Sequence, residues 1–218
     1  YVPILDRLCE QGRLGRKSGR GYYVYENGKQ VRATDAEVRA VIEQDALEIH
    51  YQPLVNLGSS RISGFEALAR WHDPQRGYVP PNTFIALAEE VGLIGKLGEQ
   101  ILQRACAEAA TWPDDISVAV NLSAAQFQSG DLVTVVKQAL AAAGLAPARL
   151  EVEITESIFL QGSESNLEVL SRLGELGVKI SMDDFGTGYS SLSYLRSFPF
   201  HKIKIDRSFV HDLPDGES

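Results

Sequence analysis

The sequence predicts an α/β fold built on a largely parallel sheet. Three observations carry that reading. From Leu47 onward, segments of strand periodicity alternate with segments of helical periodicity, the order that lays helices against a parallel sheet. Gly144, Gly174 and Gly177 fall near the ends of helical segments, where glycine is favoured. In the later strands, apolar and polar residues occupy opposite faces, because side chains alternate along a strand.

Residues 1–33 read differently from the rest, as a short, basic, Gly-rich segment. Ile4, Leu5 and Leu8 have helical spacing, which Gly12 and Gly15 end. A turn-rich loop follows over 13–21, and Tyr22-Tyr23-Val24-Tyr25 has the composition of a strand. Asn27-Gly28 is a hairpin signal, with Gln30-Val31-Arg32 as the returning strand. Thr34-Asp35-Ala36-Glu37 is a capping box that opens a helix through Val41 and Ile42. Strands are then expected at 48–55, 62–70, 116–122, 150–155, 178–184 and 202–205, and helices at 82–90, 98–111, 132–143 and 165–176.

The strand faces narrow the class. Val152 and Ile154 oppose Glu151, Glu153 and Thr155; Val178, Ile180 and Met182 oppose Lys179, Ser181 and Asp183; Ile203 and Ile205 oppose Lys202, Lys204 and Asp206. The apolar faces can pack under helices, and the polar faces need an interior that satisfies them. A β/α barrel opening at its C-terminal end supplies one, with functional side chains on the C-terminal ends of several strands. Glu66, Asn121, Glu153, Asp183 and Lys204 fall near such ends. A doubly wound open sheet fits the alternation as well.

Bulk properties exclude some functions. A net charge of -8 and a pI near 5.1 argue against broad DNA binding, which needs basic residues to neutralise phosphates. Cys9 and Cys106 stand far apart, outside any metal-ligand spacing, which points to a reducing, cytoplasmic setting. No apolar run reaches membrane-spanning length. The chain opens on Tyr1 rather than Met, so the expectation is a missing natural N-terminus and a parent protein that could be membrane-tethered. His50, His72, His201 and His211 form no ligand spacing.

Taken singly, the polar residues have plain readings. Glu66 could pair with Arg70 on the same strand face, Asn121 could cap a turn, and Asp183-Asp184 could cap a following helix at Ser190. Lys202 and Lys204 could be one solvated face, Glu151 a structural neighbour, and the basic run at 13–20 a solvated loop. Jointly they point elsewhere. Carboxylates and an amide converging from different strands are hard oxygen ligands suited to Mg²⁺ or Mn²⁺. Adjacent aspartates at a strand end can reach one site if the chain bends, and carboxylates so close repel unless cations intervene. Two cations there would suit in-line attack on a phosphodiester, with Lys204 orienting a water or stabilising phosphate charge.

Six ordered motifs then fix a resemblance: Tyr51-Gln52-Pro53, Glu66-Ala67-Leu68 within 64–71, Val120-Asn121-Leu122-Ser123, Glu153-Ile154-Thr155-Glu156, the run 183–192, and Lys204-Ile205-Asp206. Together they resemble the EAL family of cyclic di-GMP phosphodiesterases over residues 45–213. The resemblance implies an EAL-type (β/α)₈ TIM-type barrel with its first strand antiparallel, two Mg²⁺ or Mn²⁺ ions, hydrolysis of cyclic di-GMP to linear pGpG, and a homodimer of the complete domain. It also implies roles. Glu66, Asn121, Glu153 and Asp183 would hold one metal, and Asp183 and Asp184 the second. Lys204 would contact the catalytic water. Gln52, Leu68 and Arg70 would bind substrate, Arg70 through a phosphate. Glu156 would anchor the loop that follows Asp184.

A (β/α)₈ barrel takes about 250 residues, whereas about six of its eight strands are legible here after a short helical and hairpin segment. The expectation is an incomplete barrel over 44–218 whose second metal site lacks a family glutamate, so that this chain is impaired. Asp212, Asp215 and Glu217 stand in the wrong context to replace it. Residues 3–43, through Arg13 to Tyr23, resemble the C-terminal domain of 3-hydroxyacyl-CoA dehydrogenases, which sets 1–43 apart and raises a join of two coding sequences. Three functions follow in order of support: a phosphodiesterase, a non-catalytic cyclic di-GMP receptor, and a dehydrogenase-type remnant.

Overall fold

A computed structural model describes residues 25–26, 29–30, 35–74, 77–128, 131–156, 158, 164–186, 198–206 and 209. The expectations for the helix at 4–11, the basic loop at 13–21, the cap Thr34 and the acidic residues beyond 209 lie outside those residues. Two short strands, β1 (Tyr25–Glu26) and β2 (Lys29–Gln30), pair antiparallel with Tyr25 opposite Gln30. They flank Asn27-Gly28, the pair the sequence marks as a turn.

The chain divides into two compact units, residues 1–50 with 69–97, and residues 51–68 with 98–218. In the first, α1 (Asp35–Glu43) buries Val38, Val41 and Ile42, and α2 (Pro81–Glu90) buries Phe84 and Ala88. Proline fits the first turn of α2, where its missing N–H has no partner to lose. Arg39 donates from Nη2 to the Val91 carbonyl at 3.2 Å, and Trp71 meets Phe84 edge to face at 6.1 Å. A strand the sequence does not announce, β5 (Gly77–Val79), pairs antiparallel with the end of β4, placing Val79 opposite Trp71.

The second unit holds most of the sheet, ordered β3-β4-β6-β7-β8-β9. Its strands are β3 (Glu48–Asn56), β4 (Arg61–Asp73), β6 (Ser117–Asn121), β7 (Leu150–Thr155), β8 (Lys179–Phe185) and β9 (Lys202–Ile205). From β4 to β9 every pairing is parallel. β3 and β4 are neighbours joined by residues 57–60, a connection too short for a parallel crossover, so β3 runs against the rest. The helices α3 (Ile94–Ala109), α4 (Ala124–Gln128), α5 (Leu132–Ala143) and α6 (Glu164–Glu175) connect them. α5 is framed as its sequence requires. Asp131 Oδ1 accepts from the Thr134 amide at 3.2 Å, and Gly144 ends the helix at φ +65°, a conformation cheap for glycine.

The sheet core runs through Val118, Val120, Leu150, Val152, Ile154, Ile180 and Met182, all buried. Gly64 permits the close approach of β4 to β6, since a Cβ there would lie 2.7 Å from the Ser117 carbonyl oxygen. Arg149 ties the end of α3 to the start of β6: its Nη2 donates to the carbonyls of Ala109, Trp112 and Pro113, and its Nε to that of Ile116. Two expectations are corrected. α3 begins at Ile94 rather than Gly98, because Gly98 is a packing position: a Cβ there would lie 2.2 Å from Gln126 Nε2. And the apolar face of β9 is not covered by the described residues, with Ile203 and Ile205 exposed. Among the described residues no helix is long and apolar enough to cross a membrane.

Candidate functional site

The parallel register brings polar residues of five strands to one place. Glu66 on β4 stands in register with Ala119, Asn121 on β6 with Glu153 on β7, and Thr155 with Asp183 on β8. Lys204 Nζ donates to Glu153 Oε2 at 2.7 Å, to Asp183 Oδ2 at 2.9 Å and to Glu66 Oε2 at 3.2 Å. Asn121 Nδ2 donates to Glu66 Oε1 at 2.8 Å. One oxygen from each of Glu66, Glu153 and Asp183 lies within 4.8 Å of the others. The reading of Lys202 and Lys204 as a solvated face is thereby corrected for Lys204, which turns inward to the buried Glu153; Lys202 stays exposed while its ammonium reaches the buried Glu151 carboxylate.

Burial governs the electrostatics. The Glu153 side chain is 0% exposed. Its desolvation pushes its pKa up to about 7, against the Lys204 hydrogen bond, which lowers it, while Glu66 and Asp183 add to the rise. For Lys204, burial pulls the pKa down, but hydrogen bonds to Glu153 and Asp183 outweigh it and hold the pKa above the ordinary lysine value. Asp184 is raised by burial first, then by Asp183 and Asp206. With all three carboxylates ionised, one ammonium leaves the cluster two negative charges in excess. Among the described residues Glu153 Oε1 is buried without a hydrogen-bond partner, an arrangement costly unless something cationic or protic meets it. An oxygen donor set, an excess of two charges and an orphaned carboxylate oxygen fit a divalent cation of the Mg²⁺ or Mn²⁺ type.

The other expected residues are placed as follows. Between Met182 and Phe185 the register of β8 against β9 shifts, and Asp184 lies there at φ +52°, a left-handed conformation that Asp tolerates better than most residues. A bulge of this kind re-aims side chains. The Asp184 amide donates to Asp183 Oδ1 at 2.9 Å, but its carboxylate is not one of the three that converge. Glu156 is buried, and its Oε2 accepts from the Gly186 amide at 3.1 Å. Gln52 is exposed and Leu68 half-buried. Arg70 belongs to the first unit, where its Nη1 donates to the Ala69 carbonyl at 2.9 Å. Sequence reasoning left Lys202 and Glu151 aside, yet Lys202 Nζ and Ser181 Oγ both donate to Glu151 Oε1 at 2.6 Å. The signal was present, since Glu151 and Lys202 each stand two residues before a cluster member.

Fold and site together define an α/β barrel protein with an acidic cluster toward the C-terminal ends of β7 and β8 and, on β4, at Glu66 in mid-strand where its pairing with β6 runs out. The EAL domain model matches residues 35–218, and the chain belongs to that family. It is 45% identical over 214 residues, 95% of its length, to the signaling protein YkoW of Bacillus subtilis, of which it covers 27%. It is 42% identical over 196 residues, 86% of its length, to the cyclic di-GMP phosphodiesterase NbdA of Pseudomonas aeruginosa, of which it covers 25%. The chain thus spans about a quarter of the length of these curated relatives. Among solved structures, the PaMucR phosphodiesterase in complex with c-di-GMP superposes with a TM-score of 0.78 at 43% identity, over 83% of this chain and 75% of that one. The fold is therefore the EAL-type barrel, represented here by six strands of its sheet path. The dehydrogenase resemblance of residues 3–43 is not supported. The YkoW match extends over 95% of the chain and so takes in most of those residues.

Proposed function

We propose that this chain is the metal-binding part of a cyclic di-GMP-specific phosphodiesterase that opens the cyclic dinucleotide to linear pGpG with two Mg²⁺ or Mn²⁺ ions. The observation that carries the reading is the convergence of Glu66, Glu153 and Asp183 around Lys204, with Glu153 Oε1 buried and unpartnered among the described residues. Divalent cations in such a site supply positive charge to the phosphodiester and lower the pKa of water.

The chain's own residues do the rest. Glu66, Asn121, Glu153 and Asp183 would hold the first ion and Asp183 with Asp184 the second. Asn121 spends its Nδ2 on Glu66, which presents its Oδ1 as the donor atom. Lys204 stays protonated, because its carboxylate partners outweigh burial, so it acts as a hydrogen-bond donor to an attacking water or a phosphate oxygen and not as a base. Glu156 holds the Gly186 amide and with it the backbone leaving Asp184. Gln52, Leu68 and Arg70 would contact the dinucleotide. The domain proposed is 44–218, acting in the cytoplasm, and as a homodimer when complete.

A receptor that binds the dinucleotide without turnover is the second reading, favoured by the Asp184 carboxylate standing outside the group of three. One experiment separates them. The chain 1–218, and a form extended by two family-type strands, are incubated with cyclic di-GMP and Mg²⁺ or Mn²⁺ while pGpG is followed by chromatography. Formation of pGpG by either supports the phosphodiesterase. Binding without pGpG in both selects the receptor, and a folded extended form that does not bind sinks the cyclic di-GMP assignment.

A further inference from the structure

We propose that Glu151, Ser181 and Lys202 are positioning residues that set the acidic cluster; the proposal rests on the phosphodiesterase reading for its kinetic test but not for its metal-binding test. Each stands two residues before a cluster member: Glu151 before Glu153, Ser181 before Asp183, and Lys202 before Lys204. Side chains two apart on a strand share a face and stand about 7 Å apart along it. The three therefore form a second polar layer directly behind the first.

The layer joins strands that backbone pairing leaves apart. β7 and β9 each pair with β8 and not with one another. The ion pairs Lys202–Glu151 and Lys204–Glu153 both reach across β8. In the rear layer the residue crossed is Ser181, fully buried, whose small side chain leaves room for the pair and whose hydroxyl donates to the same Glu151 oxygen as Lys202.

Lys204 needs such a device. The ladder between β8 and β9 is regular only at Ser181–Lys202 and Met182–Ile203, and shifts before Phe185–Ile205. The regular ladder is thus interrupted at Lys204, resuming only at Ile205, with the Asp206 amide donating to the Phe185 carbonyl at 3.4 Å. β9 is four residues long and leaves both its isoleucines exposed, so among the described residues apolar packing contributes little to holding it. Lys202 is 41% exposed in its side chain, against 5% for Glu151. The pair gives the buried Glu151 carboxylate its counter-charge and in doing so fixes the position of the residue two steps on, which the cluster uses.

The test compares wild type with Glu151→Gln, Lys202→Met, their double variant and the milder Ser181→Ala, all in chain 1–218. Thermal melts establish folding, Mn²⁺ titration by electron paramagnetic resonance gives affinity, and cyclic di-GMP turnover gives kcat and KM. The expected result is folded variants whose kcat falls roughly 10-fold with KM nearly unchanged, the cost of a misplaced group. Mn²⁺ affinity falls as well, and the double variant is no worse than the worse single one, because both act through one contact. A lowered melting temperature with wild-type kcat and wild-type Mn²⁺ affinity overturns the proposal and leaves the layer a structural brace. If wild-type 1–218 shows no turnover, the Mn²⁺ titrations alone decide: weakened binding sustains the positioning role, and unchanged binding ends it. If Lys202→Met does not fold, the same criteria apply to Glu151→Gln and Ser181→Ala.

Discussion

Glu153 concentrates the chemistry of the site in one buried carboxyl. Its pKa, raised by burial from 4.5 to about 7, means that the folded state binds a proton more tightly than the unfolded chain. That contribution to stability is present below the unfolded value and is lost as pH rises between about 4.5 and 7. The metal-free protein should therefore melt at lower temperature as pH climbs through this window, and Glu153→Gln should flatten the decline in a series of thermal melts. A cation competes with the same proton, so Mn²⁺ affinity should rise with pH up to about 7 by on the order of tenfold per unit, readable by titration at pH 5.5, 6.5 and 7.5. Asp184 separates backbone from charge. Asn tolerates its left-handed φ of +52°, whereas Ala pays about 1 kcal/mol there. Asp184→Asn should keep wild-type stability and Asp184→Ala should lose about that amount in chemical denaturation, while both lose turnover if the carboxylate holds the second ion.

At the scale of elements, Arg149 is the residue whose loss should be felt most widely. It joins the C-terminal end of α3, the loop after it and the entry to β6 through four carbonyls, with only 12% of its side chain exposed. Arg149→Ala should cost about 2 kcal/mol in chemical denaturation, the scale of a charged hydrogen-bonding group removed from part-buried acceptors. Arg149→Lys should recover less than half, because an ammonium cannot fork to several carbonyls. The elements were legible to unequal degrees. The bounds of β7, β9 and α5 match the sequence reading residue for residue, because a two-residue or 3.6-residue period ran unbroken between clear turn signals. β5 and α4 are too short to show a period. The sequence reading began this helix at Gly98 and missed its first turn from Ile94; Gly98 lies inside α3, where Gln126 packs against it. Of the cluster, the side chains projecting from regular strands were readable by alternation. The place of Asp184 was not, because it depends on a bulge between β8 and β9, and a register shift leaves no mark in local sequence.

At the scale of the whole molecule, an acidic chain of net charge -8 gathers three carboxylates and a lysine where five strands meet. The hydrogen bond from Lys204 to Glu66 joins residues 138 positions apart, and those from Lys204 to Glu153 and Asp183 span 51 and 21. Contacts that close so long a stretch of chain carry a large entropic cost and form late. The cluster therefore belongs to the last stage of folding, after the local β7–β8 ladder and its helix are in place. A cation that binds only the finished cluster should leave the refolding rate almost unchanged and slow unfolding instead. In stopped-flow measurements Mn²⁺ should move only the unfolding limb, while acceleration of refolding would mean that the carboxylates meet earlier than their separation implies. The metal would then act less as a template for the fold than as a latch on its completion, prolonging the life of the native state without hastening its arrival.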